Sequence, residues 1–210
     1  MTLNISEVNS FEIEPMLLVD TTGSMTEPAA DGSRKQRLAV VGEAIDGIVT
    51  ALAAKDSQGE HEEGGGGVYT VTYAGGHADD YGDVNLSNLQ HFFDTRRWNY
   101  NTQIMPGFNA IWAHYTKEFL SGENTDPPKL LLSILTDGEL EDEPQFEQAL
   151  VRHANDMFVV IGLVGFGRAH DTALAAYKNL AAQYSNIAVF SFDGVVNGQV
   201  IADKLLSMIL

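Results

Sequence analysis

Strand-like and helical segments alternate along this sequence, and the alternation predicts an α/β fold, a parallel-rich sheet with helices on both faces. Two further observations point the same way. The runs LLLSIL (130–135) and FVVIGLV (158–164) are short and uninterruptedly apolar, the composition of strands buried on both faces. Turns rich in Asp, Thr, Ser and Gly follow directly on strand-like runs, at the carboxyl ends where such sheets collect ligands.

Taken in order, Phe11 to Val19 reads as the first strand and leads straight into Asp20. A long helix is predicted over Arg37 to Ala54, because Leu38, Val41, Ala44, Ile45, Ile48 and Leu52 recur at three- and four-residue steps. The stretch EHEEGGGG (60–67) is a surface loop; without GK[ST] and a following helix its glycines are not a phosphate loop. VYTVTY (68–73) has the β-branched and aromatic content of a strand, and a weaker edge strand is expected near Asp83 to Leu86. Pro106 to Leu120 repeats the helical pattern through Phe108, Ile111, Trp112 and Tyr115. After LLLSIL come a helix over Pro144 to Asn155, the strand FVVIGLV, a helix over Asp171 to Tyr184, the strand IAVFSF (187–192) and a last helix over Val200 to Ile209. The apolar tail LLSMIL is read as a helix closing on the sheet and not as a membrane contact. No internal repeat or second domain is visible, so the expectation is one domain over 1–210 with its core from about residue 11.

Bulk composition narrows the function classes. Twelve basic and 29 acidic residues give a formal charge of −17, and no basic cluster exceeds Ser33 to Arg37. Such a surface repels phosphate backbones, so no nucleic-acid partner is expected. It biases cations towards an oxygen-rich cleft, although a high charge more often simply keeps a protein soluble. There are no cysteines, which removes disulfides, thiolate metal sites and cysteine nucleophiles. The first residues lack a basic and an apolar signal region, and the longest apolar run, Met157 to Phe166, is too short for a bilayer. The expectation is a soluble cytoplasmic protein without a membrane partner. The six histidines show no HxH or HExxH spacing, and no GxSxG elbow surrounds Ser24.

Three polar turns carry the chemistry: Asp20-Thr21-Thr22-Gly23-Ser24 after the first strand, Asn99 to Gln103 before the helix at Pro106, and Thr136-Asp137-Gly138-Glu139 after LLLSIL. Any one of them alone is the usual composition of a cap or turn. Together, on one sheet edge, they would bring two carboxylates and three hydroxyls to one place. A hard divalent ion asks for such oxygens, and neutral hydroxyls would leave it open to a further anionic ligand.

These residues resemble the von Willebrand factor A (vWA) domain with its metal-ion-dependent adhesion site (MIDAS). Its Asp-x-Ser-x-Ser motif is matched by Asp20-Thr21-Thr22-Gly23-Ser24, with Thr22 in place of the first serine. Its lone threonine is matched by Thr102 in NTQIMPGF, Thr95 being a poorer alternative, and its second aspartate by Asp137 in LTDGE. The resemblance covers the chain from about Phe11 onwards. It implies a Rossmann-like, doubly wound, mostly parallel six-stranded sheet with Mg²⁺ at its top, Mn²⁺ or Ca²⁺ being alternatives. Thr22 and Ser24 would bind the ion directly, Asp20 and Asp137 directly or through water, and Thr102 according to loop position.

The activity so implied is protein binding without turnover, a partner's Glu or Asp completing the metal shell. Stand-alone intracellular relatives of this kind belong to bacterial or cytoplasmic assemblies, stress-response systems among them. Two other classes compete. A metal-independent scaffold would keep the motif as a relic. A Mg²⁺-dependent phosphotransferase or phosphatase would use Asp20 as nucleophile, but it wants an acid two residues on, where Thr22 stands. Around the motifs, Gly23 and Gly138 are expected to permit close backbone approach, and Glu139 to support a ligand or cap a helix. Glu141, Asp142 and Glu143 are read as a solvated loop in preference to an acidic rim of the site. Trp98 and Tyr100 would form either a partner-binding patch or a packing anchor for the Thr102 loop.

Overall fold

The computed structural model describes residues 11–56, 67–95, 101–121, 125–138 and 140–209. Six strands form one sheet: β1 (Ile13–Asp20), β2 (Val68–Ala74), β3 (His77–Val84), β4 (Lys129–Thr136), β5 (Met157–Gly165) and β6 (Ile187–Asp193), in the order β3-β2-β1-β4-β5-β6. All neighbours are parallel except β3, which runs antiparallel to β2. The helices are α1 (Arg37–Asp56), α2 (Leu89–Thr95), α3 (Met105–Tyr115), α4 (Glu143–Arg152), α5 (Gly167–Gln183) and α6 (Gly198–Ile209). A Rossmann-like, doubly wound architecture is the result.

Alternation along the strands assigns the two faces. Leu17 and Val19 of β1 and Leu131 and Leu135 of β4 pack with Val41, Ile45 and Ile48 of α1 and Ile201 and Leu205 of α6. Met16, Leu18, Leu132 and Ile134 face the other way, onto Phe108 and Ile111 of α3, Phe146 and Leu150 of α4, and Tyr177 and Leu180 of α5. Two glycines set how closely the layers approach. A Cβ on Gly107 would stand 2.6 Å from Leu18 Cδ1 and 3.0 Å from Tyr73 Cβ, so glycine lets α3 lie against β1 and β2 just below the candidate site. A Cβ on Gly198 would meet the Val40 carbonyl oxygen at 2.3 Å, which brings the start of α6 onto the backbone of α1.

Some boundaries depart from the sequence expectation. The edge strand occupies His77–Val84, overlapping the expected Asp83 to Leu86 only at Asp83 and Val84, because Gly75 and Gly76, at φ +57° and +79°, turn the chain directly out of β2. The short helix α2 follows at once, too brief to show a periodic stripe in the sequence. Helix α5 begins four residues before the expected Asp171, at Gly167 with φ +77°. The stretch predicted to end α3 at Leu120 widens into a π turn over Thr116–Leu120. The glycine loop lies outside the described residues except for Gly67. No helix among the described residues is long and apolar enough to cross a membrane.

Candidate metal centre

The strand order reverses between β1 and β4, and the carboxyl ends of these two strands open the crevice where such sheets collect ligands. Asp20 ends β1 and is fully buried. Its Oδ1 accepts the Thr22 backbone N–H at 2.8 Å, an Asx turn, and the Thr22 hydroxyl at 2.7 Å. Its Oδ2 accepts Thr136 Oγ1 at 2.7 Å and Tyr73 OH at 3.4 Å. The chain then enters a 3₁₀ turn over Gly23–Thr26, pinned into the core by Met25. This turn presents Ser24, whose hydroxyl donates to Asp137 Oδ1 at 2.9 Å and lies 3.2 Å from Thr22 Oγ1. Asp20, Thr22, Ser24 and Asp137 thus form one continuous run of side-chain contacts.

Proton accounting in that run has a consequence. A hydroxyl owns one hydrogen. With Thr22 donating to Asp20 and Ser24 to Asp137, no hydrogen is left for the 3.2 Å contact between the two hydroxyl oxygens, in which either could otherwise be the donor. Both flanking carboxylates are buried as well. Desolvation, followed by the charge of Asp137, pushes the Asp20 carboxyl up to about 6. Asp137 is also held above the usual carboxylate range by burial, although Arg37 and Ser24 pull it down. The centre is short of positive charge at the point where its oxygens converge. The donor set, carboxylate and hydroxyl oxygen only, suits a hard divalent cation. Among the described residues no three acidic or histidine side chains gather into a metal-binding group, so any ion here would rely on hydroxyls for the rest of its shell.

The loop bearing Thr102 is held through its backbone. The carbonyl of Asn101 accepts the Gly75 N–H at 2.8 Å, and that of Thr102 accepts the Glu141 N–H at 3.0 Å. The second bond joins the Thr102 loop to the loop that follows Asp137. Thr95 ends α2, in a separate element.

The acidic stretch after Asp137 needs correction. Glu141 and Glu143 are exposed, but Asp142 is not part of a solvated loop. Its carboxylate accepts the backbone N–H groups of Ile104 at 3.0 Å and Met105 at 2.8 Å, capping α3 from a distant segment. The free amides at a helix start favour such an anion. Replacing Asp142 by Ala is expected to cost about 1–2 kcal/mol of stability, as the loss of a helix cap does, measurable as a lowered denaturant midpoint. Gly138 is a second correction. A Cβ there would meet no atom within 4 Å, so close approach does not demand glycine. The expectations for Glu139, Trp98 and Tyr100 lie outside the described residues.

Three residues of the centre had no role of their own assigned from the sequence: Thr136, named only as part of its turn, Tyr73 and Arg37. Thr136 and Tyr73 hold Asp20, and burial raises the Tyr73 hydroxyl, which keeps it a donor. Arg37 opens α1 and donates through Nη1 to Asp137 Oδ2 at 2.5 Å. In the sequence it is merely the end of the small basic cluster. The signal available was its place at the head of the helix that follows the first motif.

No protein-family model matches the sequence, and no curated protein matches it in sequence. Solved structures do match the fold. The vWA domain of SpRpn10 superposes with a TM-score of 0.61 at 12% identity, over 93% of this chain and 94% of that one. An aerotolerance-related membrane protein from Bacteroides fragilis gives 0.59 at 15% identity, over 94% and 98%. The conserved hypothetical protein BatB from Bacteroides thetaiotaomicron gives 0.55 at 12% identity, over 94% and 98%. At these identities the likeness establishes a vWA-like fold.

Proposed function

We propose that this vWA-fold chain is a metal-dependent protein-interaction module, in which Asp20, Thr22, Ser24, Thr102 and Asp137 hold Mg²⁺ and the ion takes an acidic residue of a partner protein. One observation carries the reading: the hydroxyls of Thr22 and Ser24 face each other at 3.2 Å with both protons given to buried carboxylates. Oxygens converging in this way beside two buried carboxylates are favoured by a cation. When bound, the ion supplies Lewis-acid attraction for an anionic oxygen. The chain's own residues fix the donors. The Asx turn orients Thr22, the buried Met25 anchors the turn that bears Ser24, and Asp142 ties the Thr102 loop to the Asp137 loop.

Binding without turnover is the reading because both Asp20 oxygens accept hydrogen bonds from four donors on a fully buried side chain, which suits a fixed anion better than a nucleophile. Calorimetric titration of Mg²⁺ into the chelator-treated full chain tests the proposal. Saturable binding that Asp137→Ala abolishes, together with partner capture in Mg²⁺ but not in chelator, is the expected result. Absence of saturable binding by the unmodified chain would leave the metal-independent scaffold in its place.

A further inference from the structure

We infer that Arg37 sets the charge of the ion-loaded centre, weakening the grip on the metal while making the bound metal attract a carboxylate. This rests on the metal-binding reading above. Arg37 is built into the site. It is 8% exposed, and its Nη1 reaches both Asp137 Oδ2 at 2.5 Å and the Ser24 carbonyl oxygen at 3.3 Å. Its Nη2 lies 3.3 Å from a Glu27 carboxylate oxygen that faces solvent. The end of β5 makes room for it. Gly165 has φ +146°, and a Cβ there would stand 3.2 Å from Arg37 Nε.

This lodging divides the Asp137 carboxylate. Oδ2 is given to the guanidinium, while Oδ1 faces the Ser24 hydroxyl and the row of oxygens behind it. It also sets the electrostatic balance. Two buried carboxylates against one guanidinium leave a single net negative charge, with the exposed Glu27 counting for little in water. A divalent ion turns that balance net positive. Had position 37 been neutral, the same ion would bring the centre to neutrality and an incoming anion would gain little. The arginine therefore makes an anionic oxygen the group that completes the loaded site. The guanidinium fork lets one side chain serve several acceptors at once, but the role rests on its charge, which a lysine also carries.

The two consequences have opposite signs, which separates them from simple damage to the fold. The probes are Mn²⁺, followed by calorimetry, and acetate, followed by the fall in water-proton relaxation of the Mn²⁺-loaded full chain. Arg37→Gln is expected to bind Mn²⁺ about tenfold more tightly and acetate about tenfold more weakly than the unmodified chain. Arg37→Lys, which keeps the charge, is expected to hold acetate within about twofold of the unmodified chain. Weaker Mn²⁺ binding by Arg37→Gln, or unchanged acetate binding, overturns the inference. Loss of acetate binding in Arg37→Lys also overturns it, because the role would then be geometric, and this arm stands if Arg37→Gln fails to fold. An unmodified chain that binds no Mn²⁺ removes the metal reading itself and this inference with it, whereas Mn²⁺ binding with the wrong Arg37 response removes only the inference.

Discussion

Asp20→Asn is expected to stabilise the metal-free protein at about pH 7.5 by about 3 kcal/mol, raising its melting temperature by about 6–12 °C. The magnitude follows from the displacement of the Asp20 carboxyl from 3.8 to about 6, caused first by desolvation and then by Asp137. A fully buried carboxylate forced to ionise above that value costs the folded state the corresponding free energy. Asparagine keeps the shape and removes the charge. Its amide oxygen still accepts from Thr22, and the Thr136 and Tyr73 hydroxyls can rotate to receive its amide hydrogens. The same substitution should remove the stabilisation that Mg²⁺ gives the unmodified chain, about 2.7 kcal/mol at a hundredfold excess over the dissociation constant. Thermal unfolding in chelator and in Mg²⁺ measures both effects. A lower melting temperature for Asp20→Asn in chelator would mean that the four donors over-compensate the buried charge. The centre would then have no need of a cation.

The opposing effects expected of that one substitution follow from where the fold places Asp20. Residues chosen for stability alone would not place a second buried carboxylate beside the first at a strand end. Asp20 is tolerated because the strand-order reversal between β1 and β4 provides a crevice, and because Thr136, at the end of the neighbouring strand, supplies a donor. Fold and site are thus positioned by the same register. With Val19 opposite Leu135, β1 and β4 end together, which delivers Asp20 and Asp137 to a common level.

How much of this was legible in the sequence depends on the range of the interaction. The central strands were legible because burial on both faces leaves uninterrupted apolar runs such as LLLSIL. Helix α1 was legible through its stripe of Val41, Ile45 and Ile48. The edge strand β3 was misplaced because HADDYGDV is largely polar, as an edge exposed to water permits, and only its pairing with β2 defines it. At the site, Asp20, Thr22 and Ser24 were legible as a local spacing, and Asp137 as a motif after a strand. Arg37, Thr136 and Tyr73 were not, since each matters only through a partner that the fold brings near. Asp142 misled for the same reason. An aspartate among glutamates reads as a solvated loop until the amides of Ile104 and Met105 are found against it.

The fall of stability with pH should flatten through this window when metal is added. In the metal-free protein the Asp20 carboxyl titrates near 6 in the folded state, against 3.8 as the ordinary value. Between those values the folded chain holds a proton that the unfolded chain has lost. Stability contributed by this group is therefore greatest below about pH 4, falls as pH rises towards 6, and stays low above it. Asp137, also raised by burial, adds to the fall, whereas the neighbouring His170, lowered by burial, opposes it. The difference in unfolding free energy between the unmodified chain and Asp20→Asn cancels the contributions of distant groups to first order and reports the slope of the coupled Asp20–Asp137 pair, about 3 kcal/mol across the window. Saturating Mg²⁺ competes with the proton for the same oxygens, so its binding strengthens with pH through that window, up to about tenfold per pH unit for each proton displaced. Denaturant melts at several pH values, with chelator and with Mg²⁺, measure the change of slope. Parallel curves in the two conditions would mean that the ion binds away from Asp20, and the centre built on that carboxylate would have to be abandoned.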